Sequence, residues 1–193
     1  MRFKYLTWTN RVKSNIQLPN TYRHLSIPEG IRSAMSRNPS KIAYKHGDKK
    51  RTYKDLVQRM DRISSGLLHH LNPSEDHLAI VASNSIEYME IVLGASQAGI
   101  PIATVNPKLS DKEIQAICDD AEAKILFVDK ASYRTLEHVV FLTVEKIVVI
   151  ENELEDWIIN SKPATEAPIV MEWDVFTMPY TSGTTGKPKG VLV

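Results

Sequence analysis

The chain has 193 residues, 42% of them hydrophobic and 24% charged, with a formal net charge of +1. That length can bury a respectable core as one large domain, and the composition is ordinary for a globular protein. The near-neutral balance gives no electrostatic case for nucleic acid or an anionic membrane, and a single cysteine, Cys118, excludes an internal disulfide framework.

In chain order, the apolar positions Ile27, Ile31, Ala34 and Met35 recur at helical spacing, and Asn38-Pro39 ends that helix. Ile42 to Lys45 and Arg51 to Tyr53 read as a hairpin around His46-Gly47-Asp48. A strong helix follows, capped by Thr52 with Asp55, and its buried stripe is Leu56, Met60, Ile63, Leu67 and Leu71. Its end carries His69-His70, where positive charge suits the helix dipole.

Beyond Pro73 strands and helices alternate. His77 to Ser83 is strand-like, and Asn84 or Ser85 caps a helix that stops at Gly99. Ile100 to Val105 is the next strand, and Ser110 with Glu113 forms a capping box for a helix to about Ala121. Within it, Cys118 falls on the apolar pattern with Ile114 and Ala121, a small buried residue rather than a nucleophile. Lys124 to Val128 is a strand, Ala131 to Leu142 a helix and Lys146 to Ile150 a further strand. The acidic run Glu151 to Asp156 opens a solvated helix with Trp157 and Ile158 packed, and Ser161 to Pro168 is a loop. The expected fold class is therefore α/β, a parallel sheet with helices on both faces.

Residues 1–20 carry Arg2, Lys4, Arg11 and Lys13 without an apolar core long enough for a secretory signal. No apolar run approaches membrane-spanning length, and the six histidines show no metal-ligand spacing. Cys118 and the missing signal lead to an expected cytoplasmic location. The basic cluster from Lys45 to Lys54 reads as a solvated turn.

The chemistry is concentrated in Tyr180-Thr-Ser-Gly-Thr-Thr-Gly-Lys-Pro-Lys-Gly190-Val-Leu-Val193. Gly183, Gly186 and Gly190 let backbone amides converge on an anion, and Thr181, Ser182, Thr184 and Thr185 offer hydroxyls. Lys187 and Lys189 add positive charge. A polyphosphate suits such a loop, because each bond to a charged group contributes about 1.5–3 kcal/mol. The Walker pattern fails: Thr181 stands five before Gly186, and Pro188 follows Lys187 where a helix should begin. A flexible linker is the bland alternative, but the apolar flanks at Val175, Phe176, Met178 and Val191 to Val193 make the loop a connection between two strands.

Thr181 to Gly190 resembles, residue for residue, the phosphate-loop signature of the adenylate-forming superfamily, which includes acyl-CoA synthetases, luciferases and peptide-synthetase adenylation domains. Asn84 to Pro107 is similar to that family's helix-then-strand segment ending in Asn-Pro or Asp-Pro, with weaker echoes at Arg51 to Leu56 and Ala121 to Phe127. The resemblance runs from about Ile27 onward and covers only the family's amino-terminal portion. It implies residues 1–26 as an extension and 27–193 as a partial AMP-binding domain, truncated after the phosphate loop and lacking the carboxy-terminal domain.

The activity implied is ATP-dependent activation of a small carboxylic acid as an acyl-adenylate, then thioester formation with CoA. By that resemblance, Thr181, Ser182, Thr184, Thr185 and Lys189 are phosphate donors, and Gly183, Gly186 and Gly190 permit close approach. Lys187 is a more exposed helper, and Mg²⁺ arrives with the nucleotide. No catalytic residue and no metal-ligating carboxylate is assigned. Asn106-Pro107 tilts the reading toward an acyl-CoA synthetase. Three other readings stay open, the first two being a non-catalytic nucleotide-binding module, alone or paired with a separately encoded remainder, and an adenylation domain that loads a carrier protein. A remnant without function is the third.

Overall fold

Capping chemistry sets most of the helix starts. The computed structural model describes residues 25–73, 75–161, 168–181 and 189–193. Helix α1 (Ile27–Arg37) opens on a Ser26–Glu29 capping box, which the sequence reading did not name, and α2 (Tyr53–His70) opens on Thr52–Asp55, as the spacing predicts. Between them strands β1 (Ile42–His46) and β2 (Lys49–Thr52) pair antiparallel. Helix α3 (Ile86–Ala98) is capped by Ser85 and ends on Gly99, whose φ of 67° is the left-handed conformation a helix C-terminus often needs. Helix α4 (Asp111–Asp120) carries the Ser110–Glu113 box.

Strands β3 (His77–Val81), β4 (Ile102–Val105), β5 (Ala123–Val128) and β6 (Lys146–Val149) form one parallel sheet in the order β4-β3-β5-β6. Their near-continuous apolar sequences are buried on both faces, as parallel strands require. On one face Leu78, Ile80, Ile102, Ile125, Phe127 and Val148 meet Ile63 and Leu67 of α2 and Ile91 and Ala95 of α3. Helix α6 (Ile150–Asn160) adds Leu154 and Ile158 there. The opposite face, with Ala79, Val81, Ala103, Val105, Leu126 and Val128, packs on Ile114, Ile117 and Cys118 of α4. Helix α5 (Lys130–Leu136) covers the rest of that face through Leu136. Burial, aided by Asp119, pushes the Cys118 thiol up to about 12, so it stays a neutral packing group.

One element is shorter than its sequence pattern. The helix expected over Ala131 to Leu142 runs only to Leu136, and Val140 and Leu142 are exposed. Neighbouring side chains capture the backbone that would have continued it. The Asp119 carboxylate accepts from the Leu142 amide at 2.8 Å, and the Gln115 amide donates to the Val140 carbonyl. Val139 and Val140 also have low helix propensity, so the loss is small.

The acidic run opens a solvated helix as expected, with Glu151, Glu153, Glu155 and Asp156 exposed and Ile158 buried, and three of its carboxylates still take partners. Glu151 accepts from the Lys130 amide, Glu153 from the Val149 amide, and Glu155 takes a bidentate pair from Arg59. Trp157 packs where Gly66 leaves room: a Cβ on Gly66 would lie 2.0 Å from Trp157 Nε1.

Candidate functional site

The proposed anion loop leaves the sheet at a defined place. Thr177 bridges Ile102 in parallel, and the Met178 amide donates to the Ile102 carbonyl at 2.9 Å. The chain after Thr177 therefore runs alongside β4 in the same direction, so strand β7 (Tyr180–Thr181) reaches the carboxyl-end side of the parallel strands. Ligands of open α/β sheets bind on that side. Strand β8 (Lys189–Gly190) returns antiparallel, with Tyr180 opposite Gly190 and Thr181 opposite Lys189. Strands expected on either side of the segment are thus present and paired with each other.

Of the nine residues read as phosphate-binding, Thr181, Lys189 and Gly190 are described. Ser182, Gly183, Thr184, Thr185, Gly186 and Lys187 lie outside the described residues, as does most of the Ser161–Pro168 loop. Thr181 and Lys189 are exposed partners across the ladder, so a hydroxyl and an ammonium leave the same face of the ribbon. That donor set fits an anionic ligand. Beyond β8, Val193 exchanges backbone hydrogen bonds with Thr177, and the Val191 amide donates to the Pro179 carbonyl. Val191 and Val193 are paired along this side because the ribbon continues past its two-residue ladder.

The topological switch point lies between β3 and β5, whose outgoing connections run to opposite sides of the sheet. Asp129 fills it. Its carboxylate accepts from the Ser83 amide at 2.8 Å and caps α5 through the Ser132 amide at 2.7 Å. Burial pushes the Asp129 carboxyl up, but those two amides more than offset it, and its pKa ends below the usual value. A carboxylate already holds these two amide donors, so neither is offered to an anionic ligand. Sequence reading started α5 at Ala131 and missed Asp129; the available signal was Asp129 three places before Ser132, an N-cap spacing.

Glu90 was also missed. It is 0% exposed on α3, with Arg51 Nε 2.8 Å from one oxygen and Arg59 Nε 2.7 Å from the other. Burial raises the Glu90 pKa, opposed by Arg59 and Arg51. Burial disfavours the Arg59 charge too, but Glu155 and Glu90 overcome it, leaving a guanidinium held firmly in its charged form. The spacing Ile86, Glu90, Leu93 puts Glu90 on a buried helix stripe, which is the signal the sequence carried. Arg51 and Arg59 line a surface depression with Asp55 and Gln58, but their charge is committed to carboxylates, so it is not an anion site.

Among the described residues no group of three histidine, cysteine or acidic side chains could hold a metal ion. No described helix is long and apolar enough to cross a membrane. Asn106 forms a turn after β4, its side-chain oxygen accepting from the Lys108 amide at 2.9 Å.

Residues 31–193 match the family model described as AMP-binding enzyme. The chain is 33% identical over 147 residues to a long-chain-fatty-acid–CoA ligase of Thermus thermophilus, covering 73% of this chain and 27% of that protein. It is 30% identical over 174 residues to malpinin synthetase of Mortierella alpina, covering 88% of this chain and 2% of that one. Among solved structures, the N-terminal domain of FACL13 from Mycobacterium tuberculosis superimposes with a TM-score of 0.78 at 24% identity, over 86% of this chain and 44% of that one. The anthranilate CoA ligase AuaEII gives 0.78 at 22%, over 91% and 34%. At these identities the superpositions show the fold. The chain spans less than half the length of each of these four relatives.

Proposed function

The chain belongs to the family of AMP-binding enzymes, and from that premise we propose that it is the amino-terminal part of an ATP-dependent carboxylate-activating ligase. The observation that carries the reading is the ribbon of Tyr180–Thr181 and Lys189–Gly190, which sends Thr181 and Lys189 off one face at the carboxyl-end side of the sheet. Its domain is residues 27–193, preceded by an extension over 1–26, and we assign it to the cytoplasm.

A carboxylate is a poor acyl donor because its oxygen is a bad leaving group. In the proposed reaction a carboxylate oxygen forms a bond to the α-phosphorus of ATP while the bond to pyrophosphate breaks. A thiol sulfur then bonds to the acyl carbon and AMP leaves. Negative charge grows on the departing pyrophosphate, and donors fixed in advance stabilise it. Thr181, Ser182, Thr184, Thr185 and Lys189 are the donors we assign, with Lys187 as a more exposed helper. Gly183, Gly186 and Gly190 permit close backbone approach. Mg²⁺ brought with the nucleotide would neutralise phosphate charge.

CoA is the thiol we favour, since CoA ligases are among the relatives with the higher identity. A carrier-protein thiol is the second reading, favoured by the peptide-synthetase relatives. Calorimetry with MgATP tests the phosphate assignment: Lys189→Ala and Thr184→Ala should each weaken binding about tenfold or more, the loss of a charge-assisted hydrogen bond. Binding untouched by both would overturn it. The 193 residues by themselves should show no ATP–pyrophosphate exchange, since they span less than half the length of relatives of this kind. Robust exchange would contradict that part of the reading.

A further inference from the structure

Strand alternation gives the ribbon two faces with different jobs. Thr181 and Lys189 form one cross-strand pair and are exposed. Tyr180 and Gly190 form the next pair and face the other way. The Tyr180 ring is half-buried against the core face built on α4, and its hydroxyl donates to Asp120 Oδ2 at 2.8 Å. Gly190 makes this closure feasible. A Cβ there would stand 3.1 Å from Tyr180 Cζ and 3.2 Å from its Oη, tighter than side chains normally pack.

The acceptor is placed against local preference. Asp119 and Asp120 end α4, whose last turn carries no basic residue. Acidic side chains at that end run against the helix dipole, which favours cations there. Both are used in tertiary contacts: Asp119 holds the Leu142 amide and Asp120 holds Tyr180. A local rule broken where a tertiary contact is gained is the signature of a functional or positioning role. The ribbon needs such a tie, since a ladder of only two residues on each strand is marginal by itself.

We infer that Tyr180, tied to Asp120 and seated over Gly190, is a positioning residue that fixes the base of the phosphate loop so that Thr181 and Lys189 face the ligand. This rests on the proposed phosphate-holding role of that loop.

The test uses the full chain with Tyr180→Phe, Asp120→Ala, Asp120→Asn and the Tyr180→Phe/Asp120→Ala double variant. MgATP affinity is read by calorimetry, amide exchange at Thr181, Lys189 and Val191 by hydrogen–deuterium exchange, and global stability by urea unfolding. Tyr180→Phe and Asp120→Ala should each weaken MgATP binding about three- to tenfold, the range for one partly exposed hydrogen bond to a charge. Both should speed exchange at the three amides while unfolding stays cooperative. Asp120→Asn keeps an acceptor oxygen and should restore most of the affinity, and the double variant should be no weaker than either single one. Unchanged affinity and exchange in both single variants would overturn the inference, as would a general loss of cooperative unfolding that accounts for the weaker binding. If the unsubstituted chain binds no MgATP while exchange still accelerates in the variants, the phosphate reading fails. Tyr180 is then a structural tie and no positioning residue.

Discussion

Two glycines show how a single side chain's surroundings decide the sign of a substitution. Gly30 lies in α1 with nothing within 4 Å of the position a Cβ would take, so Gly30→Ala should stabilise by about 0.5–1 kcal/mol through backbone entropy. Gly66 lies in α2 under Trp157, and Gly66→Ala puts a methyl 2.0 Å from the indole nitrogen. That overpacking should cost about 1–3 kcal/mol, with the urea midpoint falling in one variant and rising in the other. Both residues look alike in the sequence, as isolated glycines in helical patterns. The partner of Gly66 comes from α6, far along the chain, which no local spacing reveals.

Glu90 is the other residue-scale case. Removing it by Glu90→Ala leaves the Arg51 and Arg59 guanidinium groups beside a buried hole without the carboxylate they share. The expected loss is about 3–5 kcal/mol, the range for breaking one side of a buried pair, measured by urea unfolding. Tyr44, pushed up to about 12 by burial with help from Glu90 and Tyr53, packs nearby on the cluster of Leu56, Val57, Met60 and Leu93. The spacing of Ile86, Glu90 and Leu93 placed this carboxylate on a buried stripe, but which cations would meet it depended on the hairpin (Arg51) and α2 (Arg59) both packing against α3.

At the scale of elements, helix starts were legible because capping is local chemistry. Ser26, Thr52, Ser85 and Ser110 each bond an amide three residues on, and their helices begin within a residue of expectation. The end of α5 was not legible, because side chains of α4 set it. Asp129 links two elements and has a pH signature. Its folded pKa lies below its ordinary value, so its contribution to stability is present above the unfolded pKa and is lost as pH falls through the folded one. Asp129→Asn should therefore flatten the acid side of the stability–pH curve relative to the parent chain. An unchanged acid limb would show that Ser83 and Ser132 do not depend on the charge.

For the whole molecule, apolar layers lie on both faces of one sheet, and each layer uses residues from three or more elements distant in sequence. Layers that share β3 and β5 cannot be lost separately without exposing the other's backbone. Urea unfolding followed by tryptophan fluorescence and by far-ultraviolet circular dichroism should accordingly give a single coincident transition. Separated transitions, or a gradual one, would indicate a collapsed chain without a shared core.

By itself the sequence determined the α/β class, the capped helices, the buried parallel strands and the strands on either side of the glycine-, threonine- and lysine-rich segment. Each of these depends on spacing within a few residues, where sterics, periodicity and hydrogen bonding to near neighbours dominate. Only the tertiary structure decided that Asp129 takes the Ser83 amide at the switch point, that Glu90 is shared by two arginines, and that Tyr180 is tied to Asp120 over Gly190. Arg51 with Glu90, Ser83 with Asp129 and Asp120 with Tyr180 stand from 39 to 60 positions apart in the chain. Proximity over such separations comes from packing of the sheet and its helices, not from any local pattern.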